Sequence, residues 1–408
     1  MQISQKRSRI NFRSFLWHSI FLALATNFMD VDTIIPSMLI KAGGTSVHLG
    51  ILTAIMIGGT RIFQLIFASN LSKRPVKKKF LLIGINLRVL SLILLGGMFY
   101  MSDSLSGDLI ILLIFLLISL FSLSGSYSAI SYNDIFGKSI RQENRKHFFS
   151  LRQILNSIGI FFSAWIVRAL IKRFEYPDNY ALLFLIAGSL LLIATLGFWN
   201  IREVYYKSIQ RKNIIDFFRL IPSEIKRNSN LKNYLLIINS MGLGLSILPF
   251  LILFAKENFT LSYTLIGNIL LFKVIGMLIG SITFYKTANR ISYKTILKIS
   301  LLIGGLLPIL ALLFGNNQFL YQFLFILSGI FFAFYRISNN GVLMEISTNK
   351  NRALYTGIAG AGNLLTVLFP LAAGFLIKEF DYIAVFSCVS LLIFASYFFV
   401  NRLDCKTT

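Results

Sequence analysis

The chain has 408 residues, 56% of them hydrophobic and only 14% charged, with a formal net charge of +24. Soluble chains carry about 45–50% apolar and about 25% charged residues, so this one has too few polar side chains to cover a water-facing surface. Two Cys and three His are too few for a zinc cage or a disulfide framework, and the basic residues come in bursts between apolar runs rather than on one face, which excludes a nucleic-acid surface and indicates an integral membrane protein.

A helix needs about 20 apolar residues to cross the hydrocarbon core. Runs of that length fall at approximately 15–39, 48–70, 80–101, 109–136, 148–171, 180–200, 233–255, 262–285, 295–314, 319–342, 352–377 and 381–401, which predicts twelve spans. Their Leu, Ile and Phe content and their length exclude a β-barrel, whose strands alternate over about 10 residues. Lys6, Arg7, Arg9 and Arg13 before the first run also fit a secretory leader, but the apolar character continues through Ile34, Ile35 and Met38 and makes a full span.

Taken in order, span 1 carries Asn27, Asp30 and Asp32. At 100° per residue Asn27 and Asp30 share a face, with Asp32 pointing elsewhere. Two readings of Asp30 stand side by side: a proton carrier facing a cavity, or a permanent ion-pair partner of Arg61 or Arg88. Span 2 offers Arg61 beside Gln64, span 3 Arg88, and span 4 a serine-rich stretch of Ser122, Ser124, Ser126 and Ser128 around Gly125, which suits close helix packing. Asp134 and Lys138 at the end of span 4 meet Arg145 in the next loop, and Glu345 precedes Arg352 in the corresponding place of the second half. These five form either a cytoplasmic gate or a static inner-face network. Span 8 holds Lys273 near its middle, and span 10 holds Arg336 and Asn340. Ionisable groups at such depth cost at least about 2.5–3.5 kcal/mol and normally face a cavity or a partner. The embedded cations outnumber the embedded acids, which favours an anionic or carboxylate-bearing small molecule.

Orientation follows from charge. With the N-terminus inside, and with Arg152, Lys298 and Arg352 counted with their adjoining loops, 30 of the 40 basic residues fall on the cytoplasmic side, 5 on the outer side and 5 within spans. The expectation is a multi-pass protein of the cytoplasmic (inner) membrane with both termini in the cytoplasm.

The longest inner loop, about 201–232, falls at the midpoint of the chain. Its Ile214, Ile215, Phe217, Phe218 and Ile221 interleave with charge and read as an interfacial helix, with a solvated linker as the alternative. The domain reading is therefore 1–200, an N-terminal six-helix bundle; 201–232, a cytoplasmic linker; and 233–408, a C-terminal six-helix bundle. The halves repeat: Ser131, Asn133, Asn144, Arg145 and Asn156 align with Ser338, Asn340, Asn351, Arg352 and Asn363. Such repeats mark secondary transporters, whose site lies between halves near the midplane.

On these features the chain resembles the major facilitator superfamily. The resemblance covers essentially the whole chain and includes the loop between spans 2 and 3, Ala68-Ser69-Asn70-Leu71-Ser72-Lys73-Arg74-Pro75-Val76-Lys77-Lys78-Lys79. The family pattern there is G-x-x-x-D-R/K-x-G-R/K-R/K. Here Ala68 stands for the first Gly, Ser72 for the Asp and Pro75 for the second Gly, so the basic content remains and the charged latch of the Asp does not. The resemblance implies an all-α membrane protein with twelve helices in two pseudo-symmetric bundles. Spans 1, 4, 7 and 10 would line the cavity, and spans 3, 6, 9 and 12 would face lipid. It implies a secondary transporter working by alternating access, with a lipid or amphiphile flippase or exporter on the same scaffold as the alternative. The expected partners are a small-molecule substrate, the bilayer and, for a coupled carrier, protons, in a monomer. No catalytic motif, metal-ligand cluster or nucleotide-binding glycine loop is present, so no enzyme activity, cofactor or metal is expected.

Overall fold

The computed structural model describes residues 4–59, 67, 71, 74–205, 214–287, 290–347, 355, 358–360 and 362–404. Among them, ten helical stretches are long and apolar enough to cross a membrane. The chain divides into two compact units, residues 1–43 with 59–214, and residues 44–58 with 215–408.

The first unit begins with α1, Gln5–Thr26, started by Ser4, whose hydroxyl accepts from the Arg7 N–H. The apolar run then breaks. Asn27–Met29 tighten into a 3₁₀ turn, Asp30 is extended at φ −63° and ψ 127°, and helix resumes as α2, Ile34–Lys41. Pro36 in the first turn of α2 lacks an N–H that a continuous helix would have to bond, so the chain can restart there but not run straight through.

The description of this unit continues with α4 (Lys78–Tyr100), α5 (Gly107–Ser139), α6 (Gln142–Arg173) and α7 (Asp178–Trp199), after α3 (Ser46–Thr53), which belongs to the second unit. Helix α4 packs on α5 and α7, and α1 packs on α6 and α7. The serines of α5 bond back along their own helix: Ser124 to the Leu120 carbonyl at 2.6 Å and Ser128 to that of Gly125 at 3.0 Å. With their hydroxyls satisfied, they present a smooth, small-residue surface on which α4 sits.

In the second unit, α8 (Ile214–Arg227) precedes α9 (Ser229–Ser246) and α10 (Leu248–Asn258). The run 229–258 is thus interrupted at Ile247, with Pro249 in the first turn of α10, the same device that breaks the first span at Pro36. The unit continues through α11 (Tyr263–Thr287), α12 (Tyr293–Leu313), α13 (Gln318–Ile346), α14 (Leu365–Ala395) and the short α15 (Tyr397–Asn401). Helices α11 and α13 cross where Gly276 faces Ile326 and Gly329 faces Lys273; a Cβ at either glycine would collide with backbone. The Gly276-x-x-x-Gly280 spacing in the sequence reflects this contact. Helix α3 lies against α14, with the Ser46 hydroxyl donating to the Gly374 carbonyl at 3.0 Å. Helix α14 is broken at Asp381, whose φ of 67° is left-handed, so the apolar run 358–401 holds two helical segments.

Candidate functional site

The interruption of the first span exposes a polar centre. Asp30 holds the bend: its Oδ1 accepts the Asp32 N–H at 3.1 Å and the Thr33 hydroxyl at 2.8 Å, and its carbonyl accepts the Ile35 N–H. The carboxylate thereby fastens the turn that precedes α2. Asp30 and Asp32 are half-buried. Asn27, which shares the helical face with Asp30 by periodicity, is instead fully buried; its amide donates to the Ile160 carbonyl at 2.5 Å and to Ser163 Oγ at 2.8 Å. It ties the broken span to α6.

A second polar centre lies in the same unit. The Arg88 guanidinium of α4 stands 4.2 Å from the Phe121 ring of α5. It passes over Gly125, where an added Cβ would lie 3.3 Å from Arg88 Nε. Nε is buried with no hydrogen-bond partner among the described residues, and Arg88 makes no ion pair with any of them. Nearby in the unit, Tyr132 bonds through its hydroxyl to Arg152 and Ser19, and its ring edges Phe15. His18 stacks on Phe198 at 3.9 Å and lies 3.4 Å from the Ala194 carbonyl. Arg88 stood outside the candidates drawn from the sequence because its span is one the family turns to lipid. The signal was Gly125 inside the serine run: a glycine opposite a long cation leaves room for it to reach across.

In the second unit Lys273 is buried, 4% exposed, with its Nζ 6.0 Å from the Phe332 ring centre. Arg336 is exposed on α13, and the side chain of Asn340 lies outside the description. Its neighbour Asn339 accepts a short hydrogen bond from the Tyr234 hydroxyl. Asn239 holds the segment before α14, donating to the Gly362 carbonyl at 2.7 Å and accepting the Leu365 N–H at 2.9 Å. Arg61 and Gln64 lie outside the described residues.

At the end of the first unit where α5 finishes and α4 begins, Asp134 pairs with Lys77 at 2.8 Å and with Lys138 one turn on. Lys77 comes from the basic loop before α4. Its own N–H and that of Lys78 donate to the Glu203 carboxylate, at 2.7 and 2.8 Å to the two oxygens from Lys77 and at 2.7 Å from Lys78. Glu203 thus caps α4, taking up donors that no helical carbonyl can reach. Burial pushes its carboxyl above the ordinary value, while the two N–H groups pull the other way. Asn11 adds a further tie, bonding the carbonyls of Ser139 and Arg202 and accepting the Arg202 N–H. Of the remaining gate candidates, the side chain of Arg145 and the whole of Arg352 lie outside the described residues, and Glu345 Oε2 is buried with no hydrogen-bond partner among them. Lys77 and Glu203 are the members that sequence reasoning passed over, an acid just after span 6 being the cue.

Residues 234–404 match the Major Facilitator Superfamily model. No curated protein matches the sequence. Among solved structures, a point mutant of the nucleoside transporter NupG is similar at a TM-score of 0.71 and 14% identity, covering 96% of this chain and 99% of its own. A bacterial homolog of the human lysosomal transporter Spinster, inward-facing and unoccupied, is similar at 0.61 and 11%, covering 98% and 96%. A POT family transporter in complex with 5-aminolevulinic acid is similar at 0.66 and 11%, covering 96% and 95%. The second half of the sequence matches the superfamily model, and the chain shares its fold with these transporters along nearly its whole length.

Proposed function

We propose that the protein is a secondary active carrier that moves a small anionic or carboxylate-bearing solute across the cytoplasmic membrane by alternating access. Its twelve helices form two six-helix bundles, residues 1–200 and 233–408, joined by an inner linker at 201–232. Twelve is reached by reading the stretch from Ser46 through the second apolar run as one span and dividing 358–401 at Asp381. Both termini are placed in the cytoplasm, a reading supported by the 30 basic residues that this orientation puts on the inner side.

The observation that carries the substrate class is Arg88. Arg88 is half-buried and its Nε is buried with no hydrogen-bond partner among the described residues, a desolvation cost that a bound anion would offset. Lys273 supplies a second buried cation in the other unit. Asp30, half-buried where the first span breaks, is the group proposed to load and release the coupling proton as its surroundings change between the two states. The inner ties at Asp134 and Glu203 hold one end of the bundle rigid, so that motion concentrates elsewhere.

A thermal-shift panel on the purified full-length protein tests the substrate class, with mono- and dicarboxylates, phosphate esters, neutral nucleosides and neutral peptides. Stabilisation by carboxylates or phosphate esters, lost in Arg88→Met and Lys273→Met, supports the reading. Stabilisation by nucleosides alone, untouched by either substitution, refutes it.

A further inference from the structure

A groove with a volume of about 450 Å³ opens at the base of the first unit, walled by α1, the start of α4 and the end of α7. Its lining includes Arg13, Lys78 and Arg202, three cations contributed by three separate segments. Arg13 and Arg202 are exposed, and none of the three makes an ion pair with a described residue. Lys78 is held in place: its ammonium donates to the Trp199 carbonyl at 2.6 Å and the Ile201 carbonyl at 2.9 Å, leaving one N–H to spare. The acid next door, Glu203, is turned to the backbone of Lys77 and Lys78 and does not line the groove.

The groove also has an apolar roof. Trp199, 59% exposed, lies at its mouth, and the outward faces of α4 and α7 continue from it with Ile83, Leu90 and Leu196 exposed. Tryptophan at the end of an apolar helix marks the headgroup level of a bilayer. Cations at that level beside bare hydrocarbon-facing surface fit a molecule with an anionic head and acyl chains. The second basic groove, around Arg168, Lys172 and Arg173, is lined by residues 165–173 of one helix alone, so it has no opposing wall to fix a headgroup.

We infer that the groove of Arg13, Lys78 and Arg202 binds the phosphate head of an anionic phospholipid, with the acyl chains lying along α4 and α7. Two arginines and one lysine from separate segments close on one phosphate, and their union would clamp the ends of α1, α4 and α7 together. The site is separate from the solute path and does not depend on what the protein carries.

Native mass spectrometry of the detergent-solubilised full-length protein, titrated with phosphatidylglycerol or phosphatidylcholine, reads lipid occupancy directly. The wild type should retain phosphatidylglycerol in preference. Arg13→Gln/Arg202→Gln should weaken that binding roughly twenty-five-fold, the product of about fivefold for each cation removed near an anionic surface. Both substitutions change exposed side chains and leave the Arg202 backbone bonds to Asn11 intact, so folding is retained, and Arg202→Glu gives a second variant with a larger loss. Arg168→Gln/Lys172→Gln should leave the first-bound lipid unchanged. In phosphatidylcholine nanodiscs, brominated phosphatidylglycerol should quench wild-type tryptophan fluorescence more than Trp199→Phe fluorescence. Undiminished phosphatidylglycerol binding in the Arg13/Arg202 double variant overturns the inference. So does displacement by millimolar inorganic phosphate, which would make this a soluble-anion site.

Discussion

Replacing Arg88 by Met separates stability from binding. In the structure Arg88 is half-buried, its Nε is buried with no hydrogen-bond partner among the described residues, and its one described favourable contact is the Phe121 ring at 4.2 Å. Removing a buried charge in favour of an apolar side chain of similar length is neutral or stabilising by about 1–4 kcal/mol. Losing the cation–π contact costs about 0.5–2 kcal/mol. The net expectation runs from a loss of about 2 to a gain of about 3.5 kcal/mol, and for a unit of this size 1 kcal/mol moves Tm by about 2–4 °C. Tm should therefore fall by no more than about 8 °C or rise by up to about 14 °C. Binding should weaken, since a charge-assisted hydrogen bond contributes about 1.5–3 kcal/mol, or roughly tenfold to over a hundredfold in affinity. The assay is a thermal melt of the empty carrier paired with calorimetric titration of the carboxylate or phosphate ester that most stabilises the wild type. A fall in Tm beyond that range would make Arg88 a structural pillar, and unchanged affinity would remove it from the solute path; either result refutes the reasoning.

Three further outcomes follow from the same geometry. Asp30→Asn should abolish accumulation driven by a pH gradient while leaving solute exchange between the two sides of the membrane; a variant that still concentrates solute places coupling elsewhere. Glu203→Ala should lower stability by about 1–3 kcal/mol, because the Lys77 and Lys78 N–H groups lose their acceptor. The folded-state pKa of Glu203 is raised above its ordinary 4.5, so the folded state holds the proton more tightly. Its contribution is fully present below 4.5 and is lost as pH rises through the raised value. The fall in wild-type Tm between about pH 4 and about pH 7 should flatten in Glu203→Gln, and an unchanged slope would discount the carboxylate. For topology, single cysteines at Ser106 and Ser229 should label from opposite faces of sealed vesicles; labelling of both from one face contradicts the twelve-span arrangement.

Much of the architecture is written in hydrophobic run length, because a bilayer enforces about 20 apolar residues per crossing and leaves little freedom of assignment. The ten membrane-length helical stretches and the fold shared with solved transporters are readable this way. The Gly276 crossing is readable from spacing alone. What periodicity misses is the breaking of helices by local polar bonds. Asn27 and Asp30 share a face only on an uninterrupted helix; the turn at Asn27–Met29 sends Asn27 into α6 and leaves Asp30 fastening the turn before α2. Likewise Asp381 punctuates α14 through one left-handed residue, which no apolar count reveals. The ties around Glu203 were hidden for another reason. Glu203 meets Lys77 across more than a hundred residues, through backbone N–H groups that nearly every residue carries, so composition gives no sign of the partner.

The central claim is gradient-driven movement of an anionic solute, and uptake into proteoliposomes measures it most directly. Vesicles containing the wild-type protein, loaded at neutral pH and diluted into acidic buffer, should accumulate a radiolabelled carboxylate or phosphate ester above its outside concentration. Accumulation should collapse on adding a protonophore and be absent in Arg88→Met. Equal uptake with and without the pH gradient, or accumulation of neutral nucleosides in place of anions, would contradict the account.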